Sequence, residues 1–341
     1  MPKAPRPKPK ARPNPGALRP GPRAQSLAPR AKSREPSAQS LRRVGLIGLG
    51  IMGSAISASL VRAGYEVIGY DVVAARRREH VRAGGRVARS VSAVGGMADF
   101  LICSLPSAAA LSTVAAELAG RAHTGQIVIE TSTLPIPVKL EARRLLAEAG
   151  AVLLDCPLSG TGAQARVGDL VVYASGPRKA YRTVAPVLEA FARAHHHVGP
   201  FGAGSKMKFV ANLLVGIHNV AAAEALVLAM KAGLDPAKTL EIVADGAGGS
   251  RMLQVRGPLM VKGDYSKPMN RLSLWAKDLS VIADFARELN CPTPLFSATT
   301  PLYAAAAAMG RGDEDTAAVC AVLESMANHR RETASRRPGR R

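Results

Sequence analysis

The feature that most constrains this chain is a run of glycines, Val44-Gly-Leu-Ile-Gly-Leu-Gly-Ile-Met-Gly53. A short apolar run enters Gly48-x-Gly50-x-x-Gly53 and a helical pattern leaves it, so the glycines sit at a strand-to-helix joint. In that setting Gly48 permits a tight turn, Gly50 lets the backbone approach a ligand, and Gly53 lets the helix pack closely on the strand. The helix start offers free N–H groups and a positive dipole end, which suit a pyrophosphate. Gly48, Leu49, Gly50, Ile51, Met52 and Gly53 are therefore the expected cradle of a dinucleotide. The next strand, Glu66–Tyr70, stops at Asp71. There a carboxylate can accept hydrogen bonds from ribose hydroxyls and repel a 2′-phosphate, which favours NAD. Two alternatives stay open. Asp71 can instead cap the following helix, and one of Arg76, Arg77 or Arg78 can curl back to a 2′-phosphate and admit NADP.

The rest of the chain reads as two parts between two tails. Up to residue 203 apolar strand patterns alternate with helices: 44–48, 66–70, 100–105, 127–130, 152–155 and 170–174 as strands, with a short one near His197. That alternation predicts an α/β fold, a Rossmann-type doubly wound parallel sheet, over 42–203. After Gly204 strand signals nearly vanish. A long helix over 205–232 and further helices near 236–245, 273–290, 297–309 and 314–328 predict an all-α C-terminal domain over 204–328. The formal charge of +21 lies mainly in the tails. Residues 1–43 hold twelve Lys or Arg against one Glu, and residues 329–341 hold six Arg against one Glu. Ten prolines in the first forty residues and few large apolar side chains predict disorder over 1–41. Residues 329–341 are read the same way. No aromatics interleave the basic residues, so a stacking platform for single strands is not expected. No uninterrupted apolar stretch is expected to span a bilayer. The four cysteines form no Cys-x-x-Cys pair, which points to a reducing, cytoplasmic setting without a zinc site.

Chemistry is expected where the strands end. Leu105-Pro106 and Ser132-Thr133 close two central strands at the carboxyl edge, where ligands bind in open α/β sheets. On the long helix Lys208 and Asn212 stand four residues apart and share a face, with Met207, Val210 and Leu214 nearby. A lysine beside apolar groups loses solvation, and its pKa falls towards a useful acid/base value. On spacing alone a snorkelling surface lysine remains the other reading. Lys206 is turned to a different face. The run His195-His196-His197 reads as a strand end with solvated imidazoles rather than a metal site, because alternate residues face opposite ways. Arg251, after a glycine-rich turn, can reach a substrate carboxylate or polyol.

These segments together resemble the β-hydroxyacid dehydrogenase family. Gly48–Gly53 is similar to its amino-terminal signature. Asp155-Cys-Pro-Leu-Ser-Gly160 resembles its substrate loop, Gly202–Asn212 its catalytic segment, and Lys277-Asp278-Leu279 a later segment whose lysine reaches the nicotinamide. The resemblance runs over about 44–328. It implies a hydride transfer between NAD(P) and a small 2- or 3-hydroxyacid, with Lys208 as general acid/base. Ser132, Ser159, Gly160, Thr161 and Asn212 would hold substrate, and Leu105, Pro106, Thr133 and Lys277 would meet the cofactor. It also implies a homodimer or homotetramer. One departure is Ser159-Gly160-Thr161-Gly162, where the family has Ser-Gly-Gly; a side chain at 161 would enter the carboxylate-binding loop. A non-catalytic dinucleotide-binding protein with nucleic-acid-binding tails is the rival class.

Overall fold

A computed structural model describes residues 43–122 and 124–331. The expectations for 1–41 and for most of 329–341 lie outside those residues. In chain order the elements are β1 (Arg43–Ile47), α1 (Ile51–Arg62), β2 (Glu66–Tyr70), α2 (Ala74–Arg82), β3 (Arg86–Val87), α3 (Val91–Gly95) and β4 (Phe100–Cys103). Then come α4 (Ala108–Ala119), β5 (Ile127–Glu130), α5 (Ile136–Glu148), β6 (Val152–Asp155), β7 (Leu158–Ser159), α6 (Gly162–Arg166), β8 (Val171–Ala174), α7 (Arg178–Glu189) and β9 (Ala194–His197). The helical part holds α8 (Ala203–Lys231), α9 (Pro236–Asp245), α10 (Arg251–Lys262), α11 (Leu272–Glu288), α12 (Pro294–Ala308), a 3-10 turn (Thr316–Ala318) and α13 (Val319–Met326).

Six strands form a parallel sheet in the order β3-β2-β1-β4-β5-β6. The central strands are apolar throughout because both of their faces are covered. Leu46, Ile102, Ile129 and Leu154 align across one face and join a core with Ile56 and Leu60 of α1. Leu101, Val128 and Leu153 align on the other and meet Val94, Leu118 and Leu146. The sheet does not continue into β8 and β9. These two pair in parallel in a second, three-stranded sheet, with β7 antiparallel to β8. The expected helix over 314–328 is instead a 3-10 turn followed by α13. His195 and His197 are not solvated as expected: Tyr181 Oη lies 2.7 Å from His195 Nδ1, and His197 Nε2 lies 2.9 Å from the Gly176 carbonyl.

The helices after Gly202 gather round α8, whose Phe209, Val220, Ala223 and Leu226 are buried against Trp275, Ile282, Phe296 and Tyr303. Contrary to the expectation from sequence, α8 is long and apolar enough, with a mean hydropathy of 1.8, to cross a membrane by length and composition. One face of it is the post on which the other helices pack, and 44% of the apolar stretch is buried. Close packing is built in at Gly216, where a Cβ would lie 3.3 Å from the Phe296 ring. The buried Asn219 amide donates to Tyr303 Oη at 2.9 Å and to the Thr316 carbonyl at 3.0 Å.

Candidate active site

One crevice runs along the carboxyl ends of β1, β2, β4 and β5 and is walled opposite by α8, α10 and α11. At its nucleotide end the three glycines do different work. Gly48 has φ +93°, and a Cβ there would lie 2.2 Å from the Ser104 carbonyl oxygen. At Gly53 a Cβ would lie 1.9 Å from the Gly48 oxygen, so only glycine brings α1 this close to β1. A Cβ on Gly50 would meet nothing nearer than Arg76 Nη1 at 4.0 Å; a side chain there would fill the crevice, not the protein. The open backbone and the start of α1 fit a pyrophosphate. Gly48, Gly50, Ile51 and Met52 line the crevice, whereas Leu49 is buried and Gly53 lies behind the wall.

Asp71 lines the same end and is 5% exposed. Its carboxylate accepts from the N–H groups of Leu49 and Val73, each at 2.8 Å, and so braces both the glycine turn and the approach to α2. Arg76 curls back onto it at 3.3 Å, and Arg77 donates to the Asp71 and Val72 carbonyls. Leu105 and Pro106 follow on the wall, and the Leu105 N–H donates to Ser132 Oγ at 2.8 Å.

At the other end Lys208 and Asn212 both face the crevice, and Lys206 is exposed away from it. Burial lowers the pKa of Lys208 to about 8; Asp278 opposes the fall and Lys277 adds to it. Four groups are linked across this end. Asn212 Nδ2 donates to Asp278 Oδ2 at 3.0 Å, Asp278 Oδ1 is 3.2 Å from Lys277 Nζ, and Lys277 donates to the Thr133 carbonyl at 2.6 Å. The helical part is thereby tied to the loop after β5. Ser132, Ser159, Gly160 and Thr161 line the facing wall. Gly160 has φ +138°, and a Cβ there would lie 2.6 Å from Leu170. The Thr161 side chain is engaged with Gln164 in a capping box at the start of α6.

A buried cluster beneath this end is not foreseen from sequence. Register sets Glu130 beside Asp155 at the ends of β5 and β6, and Lys139 of α5 lies between them, all fully buried. Lys139 Nζ is 2.5 Å from Glu130 Oε2 and 2.8 Å from Asp155 Oδ1, and donates to the Ser132 carbonyl at 2.7 Å. Asp155 also accepts from the Ser205 N–H and hydroxyl, each at 2.8 Å. A Cβ at Gly204 would lie 2.3 Å from the Tyr173 carbonyl oxygen, so α8 begins jammed against β8, one turn before Lys208. Two neighbouring strands that both end in an acid, Ile-Val-Ile-Glu and Val-Leu-Leu-Asp, were the available signal. On the opposite wall Asp315 accepts from Arg256 Nε at 3.1 Å and from the N–H groups of Met269, Asn270 and Ala317. Those bonds fix the 269–271 loop, which lines the crevice.

A parallel-sheet crevice with a glycine cradle at one end and a lysine of lowered pKa at the other defines a dinucleotide-dependent oxidoreductase. Residues 43–199 match the family described as the NAD binding domain of 6-phosphogluconate dehydrogenase. Residues 202–323 match the NAD-binding domain of NADP-dependent 3-hydroxyisobutyrate dehydrogenase. L-threonate dehydrogenase of Cupriavidus necator is 35% identical over 71% of this chain and 82% of its own. 2-(Hydroxymethyl)glutarate dehydrogenase of Eubacterium barkeri is 30% identical over 72% and 83%. The crystal structure of 3-hydroxyisobutyrate dehydrogenase from Salmonella typhimurium superposes with a TM-score of 0.76 at 33% identity, covering 82% of this chain and 99% of that one. The chain belongs to the β-hydroxyacid dehydrogenase family. It is an NAD(P)-dependent oxidoreductase, and the rival reading as a non-catalytic binding protein gains no support from these relatives.

Proposed function

We propose that this enzyme interconverts a small 2- or 3-hydroxyacid and its carbonyl form, with Lys208 as the general acid/base. The observation that carries this reading is the position and pKa of Lys208, half-buried on the crevice wall and poised near 8. In the oxidative direction neutral Lys208 Nζ takes the hydroxyl proton as the carbonyl forms, and in reduction the ammonium returns it. The nicotinamide, when bound, accepts or supplies the hydride at C4. Asn212, held by Asp278, is oriented to fix the reacting oxygen. Ser132, Ser159 and Gly160 face it and hold the carboxylate, while Thr161, committed to α6, shapes the loop more than it contacts substrate. Gly48, Gly50, Ile51, Met52, Asp71, Leu105, Pro106, Thr133 and Lys277 hold the cofactor. Asp71 favours NAD, although Arg76 beside it keeps a 2′-phosphate within reach of a cation. The work divides between a dinucleotide-binding part at 42–203 and a helical part at 204–328. Exposed Leu214, Leu228 and Ile242 on α8 and α9 support a homodimer or homotetramer formed through that helical part, in the cytoplasm.

The relatives' names supply the first substrates to try: threonate, 2-(hydroxymethyl)glutarate and 3-hydroxyisobutyrate, each with NAD and NADP. The expected result is turnover of at least one, NAD preferred. Lys208→Ala should lower kcat by ~100-fold or more, with the Kd for NAD little changed. Wild-type-like turnover in that variant would end the assignment of Lys208.

A further inference from the structure

Along the crevice wall nearly every cation has an acid. Arg76 pairs with Asp71, Arg193 with Asp169, Arg256 with Asp315, Arg271 with Asp313, and Lys277 with Asp278. Lys208 must shed its charge to serve as a base. Arg251 lines the same wall and, among the described residues, has no hydrogen bond or ion pair. Its root is fixed: it is the first residue of α10, where the Ser250 hydroxyl accepts from the Leu253 N–H at 3.1 Å and Leu253 is buried. Its charge reaches Asp169, whose carboxyl is held below its usual range by Gln164 and Arg193 and, more weakly, by Arg251. Asp169 is therefore already satisfied by Gln164 and Arg193, and it lines the same crevice as Arg251 and the Ser159 loop.

A guanidinium is a permanent charge with a planar fork that matches a carboxylate. The carboxylate next to the reacting carbon is already assigned to the Ser159 loop. We infer that Arg251 binds a second, distal carboxylate, and that the substrate class is a hydroxyacid carrying two carboxylates. This inference rests on the hydroxyacid reaction proposed above.

The test uses the full chain with NAD and a matched pair: 2-(hydroxymethyl)glutarate and its 5-carboxamide, which differ only in the distal charge. Wild type should favour the diacid in kcat/KM on the order of 10- to 100-fold. Arg251→Met should bring that ratio close to one, and Arg251→Lys should restore part of it. Arg251 is exposed, and an unchanged melting temperature would show that each variant is folded. An equal ratio in wild type and Arg251→Met overturns the inference. So does a wild type that does not separate the pair while it turns over monocarboxylic hydroxyacids, or a variant whose only change is a raised KM for NAD. No turnover of any hydroxyacid with either nucleotide overturns the underlying reaction instead.

Discussion

Lys208 is an ordinary residue in an unusual place. Its ammonium loses water against the crevice wall, and only one nearby carboxylate, Asp278, offsets that loss. The sign of the pH dependence follows. Oxidation needs the neutral amine, so kcat/KM for a hydroxyacid should rise with pH through about 8 and then level. Reduction needs the ammonium and should fall over the same range. Rate profiles measured in both directions between about pH 6 and 10 test this, and two flat profiles would remove Lys208 from proton transfer. The shared face of Lys208 and Asn212 was legible because a four-residue helical spacing needs no tertiary knowledge. The partner that holds Asn212 was not, because Asp278 lies 66 residues away and only packing brings it in.

At the scale of elements, the buried lysine of α5 joins β5, β6 and α8 into one block. Burial would lower the pKa of Lys139, but Glu130 and Asp155 outweigh it and the net shift is upward from 10.5. A raised lysine pKa means that the pairing contributes fully below 10.5 and is lost only as pH climbs through the higher folded value. Lys139→Met leaves two adjacent buried acids without their cation and should cost about 3–5 kcal/mol in urea unfolding. A loss under about 1 kcal/mol would show that the cluster does not hold the block together. The same scale explains what the sequence concealed. The central strands and α1 were readable because two-sided burial and the glycine turn leave local marks. α10 was not, because Gly257 and Pro258 interrupt its pattern; it is held by packing, with a Cβ at Gly257 placed 2.5 Å from Leu240. Lys139 was hidden for the opposite reason, since a lysine within a helix reads as solvated. Asp71 stood out as an acid at a strand end, and its bonds to Leu49 and Val73 serve the turn as well as any ribose.

Across the whole molecule, ligand affinity and fold stability share the same crevice, because its two walls come from the sheet and from the helices. A dinucleotide that binds only the folded chain adds about 2.7 kcal/mol at 100 times its Kd. For a protein of this size that is a rise in Tm on the order of 4 °C. Thermal melts with and without NAD or NADP check this, and no shift with either would contradict the cradle at Gly50. The seating of α8 on the sheet through Gly204 and Ser205 has a consequence for how such a protein can change. Lys208 is indexed to the sheet, one turn from its anchor, whereas the wall that carries Arg251 and the 269–271 loop has polar braces of its own, through Arg256 and Asp315. Substitutions on that second wall can alter which acid is admitted without disturbing the reaction step. Selection, or a designer, can retool the specificity of this scaffold while the hydride chemistry is inherited intact.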